Sequence, residues 1–345
     1  MLLGTSVGDA LGLYMEGLSS KTIHKWFASG IDRYYLLGEI GFVSDDTEQS
    51  ALIAQSLIRH PNDSLACARA FRVAMVGWFS RMPFGVGRAT CFACLKMALF
   101  LKDTGIRSAG NGAAMRAAII GIFFYDDEAR RREFGERLAR TTHSDERAVD
   151  GALFVAEMAA HAYSGRNFAV GDGETARYRF FDSAVKVVNE PSLKALLLTA
   201  RTLAETKAEA DLVLERLGSS GFVNHSVPIS TYTFLRFGSD TMSALQSVIY
   251  AGGDTDTNAA MVGAWCGALR GEKDLPQDLI SQINNGPFGP KHLRKLARGL
   301  ASIKGGNIVP PPVYFWPLAF SRNVALIPII LSHTFVRIVR SVGRR

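Results

Sequence analysis

Apolar positions recur three and four residues apart along most of the first 300 residues. The spacing is clearest in 47–59 (TEQSALIAQSLIR), 88–102 (RATCFACLKMALFLK), 113–123, 146–163, 192–206 and 257–270, and it predicts amphipathic helices. Alternating runs of the kind a strand needs are scarce and short. Alanine, the best helix former, is plentiful in these segments. Pro61, Pro83, Gly85, Gly87, Gly110, Gly112, the polar stretch 164–176, Gly218 to Gly221 and Gly252–Gly253 separate them. None reads as a linker between two cores. The expectation is one all-α domain over residues 1–308, larger than most single domains.

The remaining residues, 309–345, differ in character. Pro310, Pro311 and Pro312 open the segment, and Tyr314, Phe315, Trp316, Leu318 and Phe320 follow. An uncharged run of 14 residues, Asn323–Val336, lies between Arg322 and Arg337. It is shorter than the ~20 residues of a membrane-spanning helix, and Pro328 is expected to interrupt it. Aromatic start, apolar middle and basic end suit peripheral contact with an anionic membrane through residues 313–345. Packing of the tail on the body or on a second subunit is the other reading.

Composition narrows the class. The chain has 345 residues, 48% hydrophobic and 21% charged, which excludes intrinsic disorder. Its formal charge is +7, but Arg322, Arg337, Arg340, Arg344 and Arg345 stand in a tail without acids. The body is left near +2, so a nucleic-acid footprint is not expected. Cys67, Cys91, Cys94 and Cys266 are too scattered for a disulfide framework. Cys91 and Cys94, one helical turn apart on an apolar face, read as core residues. The N-terminal residues have no basic n-region and carry Asp9 where a signal peptide is apolar. A cytoplasmic protein, at most peripheral to the inner face of a membrane, is expected.

The most informative stretch is Gly252-Gly253-Asp254-Thr255-Asp256-Thr257-Asn258, ahead of a helical run. Within a helix, Asp254 and Asp256 would point about 200° apart. On a tight turn opened by two glycines, both carboxylates and the Thr257 hydroxyl can converge. Gly263, Gly267 and Gly271, spaced by four, would let the following helix approach a neighbour closely. Ser44-Asp45-Asp46-Thr47 is a second turn of this kind. The carboxylates and hydroxyls of the two turns, without Cys or His, form a hard-oxygen set that favours Mg2+ or Mn2+ over Zn2+. Helix capping is the alternative, and Asp45-x-x-Glu48 fits a capping box. Capping is sufficient for the upstream turn alone. Downstream it accounts for one Asp and not for two.

Other segments could serve the same site. Glu16 follows Gly8-Asp9-Ala10-Leu11-Gly12 and could complete a metal shell or orient substrate; alone it reads as a solvated helix residue. Gly110-Asn111-Gly112-Ala113 joins a glycine turn to a helix start, where free amides and the helix dipole suit a phosphate; an ordinary loop is the alternative. His143 and His225 carry no assignment on residue type alone.

In this order, GDALGxxxE at Gly8–Glu16, SDDT at Ser44–Thr47, GNGAAMR at Gly110–Arg116, the His143 turn and GGDTDTNAAMVGAWCGALRG at Gly252–Gly271 resemble the ADP-ribosylglycohydrolase family, which includes the dinitrogenase-reductase-activating glycohydrolases. The resemblance implies an all-α orthogonal helical bundle with a binuclear Mg2+ or Mn2+ site in a central cleft. It implies Ser44, Asp45, Asp46, Asp254, Asp256 and Thr257 as metal ligands, with Asp256 bridging. Glu16 would approach metals and substrate. Gly110, Asn111, Gly112 and Ala113 would meet the ADP-ribose phosphates, and His143 the ligand nearby. Three departures stand out: Ser44 for a usual Thr, Tyr14 for a common Pro, and Ala113 for a common Ser. The first motif also begins within a few residues of Met1, where relatives usually carry more helix, so the start is either truncated or a short first helix.

Such a site would run metal-activated attack of water at the ribose anomeric carbon, with Glu16 or Asp45 taking the proton. The expected function is removal of ADP-ribose from modified protein side chains, arginine before serine; an ADP-ribose-containing small molecule is the other substrate class. The competing class is a relative that kept the fold and lost catalysis, an ADP-ribose-binding or structural protein or one that binds ADP-ribose at a membrane. Such a protein is expected to lose acids from the two turns, and here both turns keep theirs.

Overall fold

The computed structural model describes residues 1–166 and 173–342. Part of the predicted polar break at 164–176, and Arg344 and Arg345 of the tail, lie outside the described residues. Among those described, helices carry the fold and no strand forms beyond isolated bridges. The N-terminal third holds α1 (Leu2–Gly12), α2 (Ser20–Trp26), α3 (Asp45–Arg59), α4 (Ser64–Phe79) and α5 (Arg88–Ala98). The middle holds α6 (Ala118–Phe123), α7 (Glu128–Arg140), α8 (Glu146–Gly165), α9 (Gly173–Ala184), α10 (Pro191–Glu205) and α11 (Ala210–Leu217). Then come α12 (Val223–Phe237), α13 (Thr241–Tyr250), α14 (Thr255–Arg270), α15 (Gln277–Gln282), α16 (Pro290–Lys304) and α17 (Trp316–Val342).

The core is organised around α14, which packs on α1, α8, α12 and α13. Every residue of α1 is buried, as is every residue of α14 from Thr255 to Leu269. Helices apolar on all sides belong inside. Gly4 and Gly8 of α1 face Gly263 and Ala259 of α14; a Cβ on Gly8 would lie 2.0 Å from the Ala259 carbonyl oxygen. The expected close approach is therefore real at Gly263 and Gly267. Gly271 takes no part: it ends α14 at φ 79° with open space before it.

Side-chain caps set several helix starts. Asp63, Asp127, Asp145 and Asp240 each accept from an amide in the first turn of α4, α7, α8 and α13, satisfying donors no helix can satisfy itself. The Asp45–Glu48 capping box does not form. Ser44 is the N-cap of α3, and Glu48 turns away to accept from Trp78 Nε1 at 2.7 Å and Arg81 at 2.7 Å, and to pair with Arg322. Cys94 is buried and Cys91 half-buried, both as free thiols.

The tail packs on the body. Its helix α17 runs through Pro328 instead of stopping there; the exposed proline sits on the outer side. A proline removes one ladder bond and crowds the preceding turn, and the buried face outweighs this. Leu326 packs with Leu13, Leu36 and Phe42. Asn323 Nδ2 donates to Arg81 O at 3.0 Å, and His333 Nε2 lies 2.7 Å from Leu36 O. Among the described residues no helix is long and apolar enough to cross a membrane.

Candidate active site

Two helix starts and one carboxylate from a third helix build the centre. Asp9, buried in α1, accepts from Ser44 N at 3.0 Å, Thr47 N at 3.1 Å and Thr47 Oγ1 at 2.5 Å. It thereby satisfies orphan donors at the start of α3. Burial still pushes its carboxyl up to about 6, against the lowering effect of those bonds. Ser44 Oγ and Thr257 Oγ1 each donate to Asp46 Oδ2 at 3.2 Å, so the loops near 45 and 255 are in direct contact. Asp46 Oδ1 is buried without a hydrogen-bond partner.

The acids fall into two groups. One oxygen each of Asp9, Asp46 and Asp256 lie within 4.8 Å of one another, as do one each of Glu16, Asp254 and Asp256. Asp256 belongs to both. Asp45, Asp46 and Asp256 are held well above the carboxylate range, first by burial and then by neighbouring acids. Glu16, at the rim, is raised to about 7 by desolvation and then by Asp254. Carboxylates packed this closely cannot all ionise unless cations join them. With hard oxygens only and an unsatisfied Asp46 Oδ1 inside the cluster, the donor set fits divalent cations of the Mg2+ or Mn2+ type.

The convergence differs in detail from the sequence expectation. Asp45, Asp46, Asp256 and Thr257 stand in first helical turns, not in preceding loops, and Ser44 and Asp254 are just outside, as the N-caps of α3 and α14. Asp254 and Asp256 meet because Asp254 has left helical geometry. Gly253, at φ 76°, brings the chain against Ser219 O, 2.4 Å from where a Cβ would stand. A residue with a side chain there would be both strained and obstructed.

A cleft of about 290 Å³ opens onto these acids, lined by Glu16, Asp45, Asp254, Asp256 and Thr257 together with Gly110, Asn111, Gly112 and His143. Ser44 and Asp46 lie beneath its floor. Ala113 is buried and not part of the lining. The glycine turn is not the start of a long helix: Asn111–Ala113 is one 3-10 turn, and α6 begins at Ala118. This turn therefore aims no helix dipole at the cleft. The Asn111 amide already donates to Gly221 O at 3.0 Å. Its side chain donates to Asp254 Oδ2 at 2.7 Å and to Ser226 Oγ at 2.9 Å, tying the turn to the acids. His143 is buried, its Nδ1 lies 2.8 Å from Thr142 Oγ1, and burial, then Arg116, lowers it to about 3, so the ring is neutral. His225 pairs with Ser220 Oγ at 2.8 Å and is not in the cleft lining.

Two contributors escaped the residue-by-residue reading. Asp9 sits inside the GDALG motif, which was the available signal. Arg116, buried, donates to Gly112 O at 2.6 Å, Gln49 Oε1 at 2.8 Å and Thr142 Oγ1 at 2.5 Å. Gln49 in turn donates to Asp45 Oδ2 at 3.1 Å, so one guanidinium links the glycine turn, the His143 turn and α3.

Comparison with known proteins shows the family. A sequence model describing ADP-ribosylglycohydrolases matches residues 1–307. An uncharacterized protein of Archaeoglobus fulgidus is 27% identical, covering 83% of this chain and 91% of its own. The ADP-ribosyl-[dinitrogen reductase] glycohydrolase of Rhodospirillum rubrum is 25% identical, with 82% and 88% covered. The ADP-ribosylhydrolase ARH3 of Xenopus tropicalis is 26% identical over 80% and 87%. Among solved structures, an ADP-ribosylglycohydrolase-related protein complex superposes with a TM-score of 0.62 at 22% identity, covering 88% of this chain and 96% of that one, a likeness of fold. The match over nearly the whole body, on a helical fold with its acids gathered at one cleft, makes this chain a member of the ADP-ribosylglycohydrolase family and a glycohydrolase.

Proposed function

We propose that the protein releases ADP-ribose from modified protein side chains, ADP-ribosyl-arginine in preference to ADP-ribosyl-serine, with two Mg2+ or Mn2+ ions. Ser44, Asp45, Asp46, Asp254, Asp256 and Thr257 would hold the ions, and Asp9 joins the set. The observation that carries this reading is Asp256, whose carboxylate lies within 4.8 Å of both acid groups and is suited to bridging. The cations supply Lewis acidity, which lowers the pKa of water and orients ribose hydroxyls.

The chain's own residues do the rest. Water forms the new bond to the anomeric carbon as the bond to the guanidine nitrogen, or to the serine oxygen, breaks and the leaving group takes up a proton. Glu16 and Asp45 both line the cleft, and either would accept the water's proton. The Gly110–Gly112 turn and the neutral His143 line the same cleft and would hold the ADP portion. Ala113 is assigned no direct contact, because it does not line the cleft.

Incubation with ADP-ribosylated arginine and serine peptides, with and without chelator, tests the reading. Free ADP-ribose is expected from the arginine peptide only when divalent cation is present. Release unaffected by chelator, or none from either peptide, refutes it.

A second reading concerns the outer face of α17. Leu318, Val324 and Leu331 are exposed there, and the helix carries no charge between Arg322 and Arg337. This favours peripheral contact with an anionic membrane at the inner, cytoplasmic face. Flotation with phosphatidylserine vesicles should be lost in Leu318→Glu/Leu331→Glu. Equal flotation of variant and parent, or self-association through this face, removes the idea.

A further inference from the structure

We infer that Arg337 of α17, acting with Tyr14, is a positioning residue for Glu16. The helix lies beyond residues 1–307, which match the family. It is anchored at one end, where Arg322 pairs with buried Glu48 and its NH1 donates to Pro287 O at 3.1 Å. Fifteen residues along, about 22 Å at helical rise, it reaches the turn that carries Glu16. There Arg337 NH1 donates to the Glu16 carbonyl oxygen at 2.9 Å. The guanidinium carbon lies 5.0 Å from the Tyr14 ring centroid, a cation–π contact. The His333 ring meets the same Tyr14 edge-on at 5.0 Å, while its Nε2 faces Leu36 O.

From the other side the turn is held by the loop before α14. Gly17 N donates to Gly253 O at 2.8 Å, and Gly253 N donates to Leu18 O at 2.9 Å. Glu16 is thus gripped between the loop that presents Asp254 and a helix from the far end of the chain. Tyr14 is also one of the departures from the family pattern noted above, and a proline there would offer no ring face to a guanidinium. Arg337 is absent from the cleft lining, so it acts through the placement of Glu16 and not on substrate.

This inference rests on the proposed role of Glu16 in hydrolysis, and the test has one arm that does not. In full-length Arg337→Ala, amide hydrogen exchange in the peptide spanning residues 13–18 should accelerate about tenfold, whatever the activity. On the ADP-ribosylated arginine peptide, kcat should fall about tenfold, the scale on which small misplacements act, with KM within twofold. Arg337→Lys, which can still donate to Glu16 O, should return kcat to within threefold of the parent. Tyr14→Leu leaves α17 intact and should give the same pattern at smaller amplitude, and it stands in for Arg337→Ala if that variant does not fold. Exchange unchanged in the 13–18 peptide overturns the inference. So do a kcat within twofold of the parent or above it, or a lysine variant as impaired as the alanine one. An inactive parent refutes the hydrolase reading and leaves the exchange arm to decide.

Discussion

Replacing Asp256 by Asn separates the electrostatic account of the centre from a merely structural one. The substitution keeps the side-chain shape and the oxygen that accepts from Thr257 N at 2.9 Å. It removes a carboxyl group, within 4.8 Å of acids in both groups, that folding must either charge against them or protonate. At that distance and an effective dielectric constant of about 20, each ionised neighbour repels by roughly 3 kcal/mol. Without cations at pH 7 to 8, Asp256→Asn should therefore stabilise the protein by about 3 kcal/mol, near 6 °C in Tm at roughly 2 °C per kcal/mol. The gain should vanish toward pH 4, where the parent's carboxylates are protonated. With divalent cation the order should reverse. Each ion at a hundredfold excess over its Kd adds about 2.7 kcal/mol to the parent, and the variant has lost the shared ligand. Differential scanning fluorimetry across pH, with EDTA and with Mg2+ or Mn2+, reads all of this. A variant less stable than the parent in EDTA, or one that keeps the full cation-induced rise, would refute the reasoning.

Asp9 gives a pH dependence of definite sign. Its carboxyl is raised from 3.8 to about 6 in the fold, so folding favours the protonated form. In the cation-free protein Asp9 should account for about 3 kcal/mol of the stability lost as pH climbs from 4 to above 6, beside the losses from the other raised acids. Urea titrations at pH 4, 5, 6 and 7 should show this fall, and Asp9→Asn should make it shallower; a parent profile that rises over this range contradicts the assignment. Gly8→Ala pushes a methyl to within 2.0 Å of Ala259 O between two buried helices. It should cost about 3 kcal/mol, at the upper end for overpacking, and reduce cation-dependent activity along with Tm. A Tm within 1 °C of the parent would mean that α1 and α14 can part without penalty.

Much of the helical frame is legible in the chain, because α3, α8, α10 and α14 begin and end close to the spans their apolar spacing predicts. The exceptions have physical causes. α5 stops at Ala98, short of the predicted 102, as Phe100 turns to φ 57°. In α1 even Thr5, Ser6 and Asp9 are buried, so a periodicity that looks for an exposed polar face has nothing to report. α17 passes Pro328 because buried Ala319, Asn323 and Leu326 hold it from one side, a tertiary effect outside local propensity. At the site, residue type and order suffice to pick out the acids of the two turns. Asp9 stayed hidden because its role depends on α3 arriving 35 residues later to offer Ser44 and Thr47. The glycine turn reads as a helix start in sequence, yet Gly221 claims the Asn111 amide, and no spacing rule reveals that partner.

The pairing of α1 with α14 also dictates when this protein can fold. The first helix leaves the ribosome with most of its surface apolar, and the backbone it must lie against is encoded some 250 positions later. At 5–20 residues per second, that wait is on the order of 10–50 s. Through that interval Leu2, Leu3, Val7 and Leu11 have no native partner from α14, and Asp9 has no finished centre to join. Synthesis must run almost to the end of the body before its beginning can be put away.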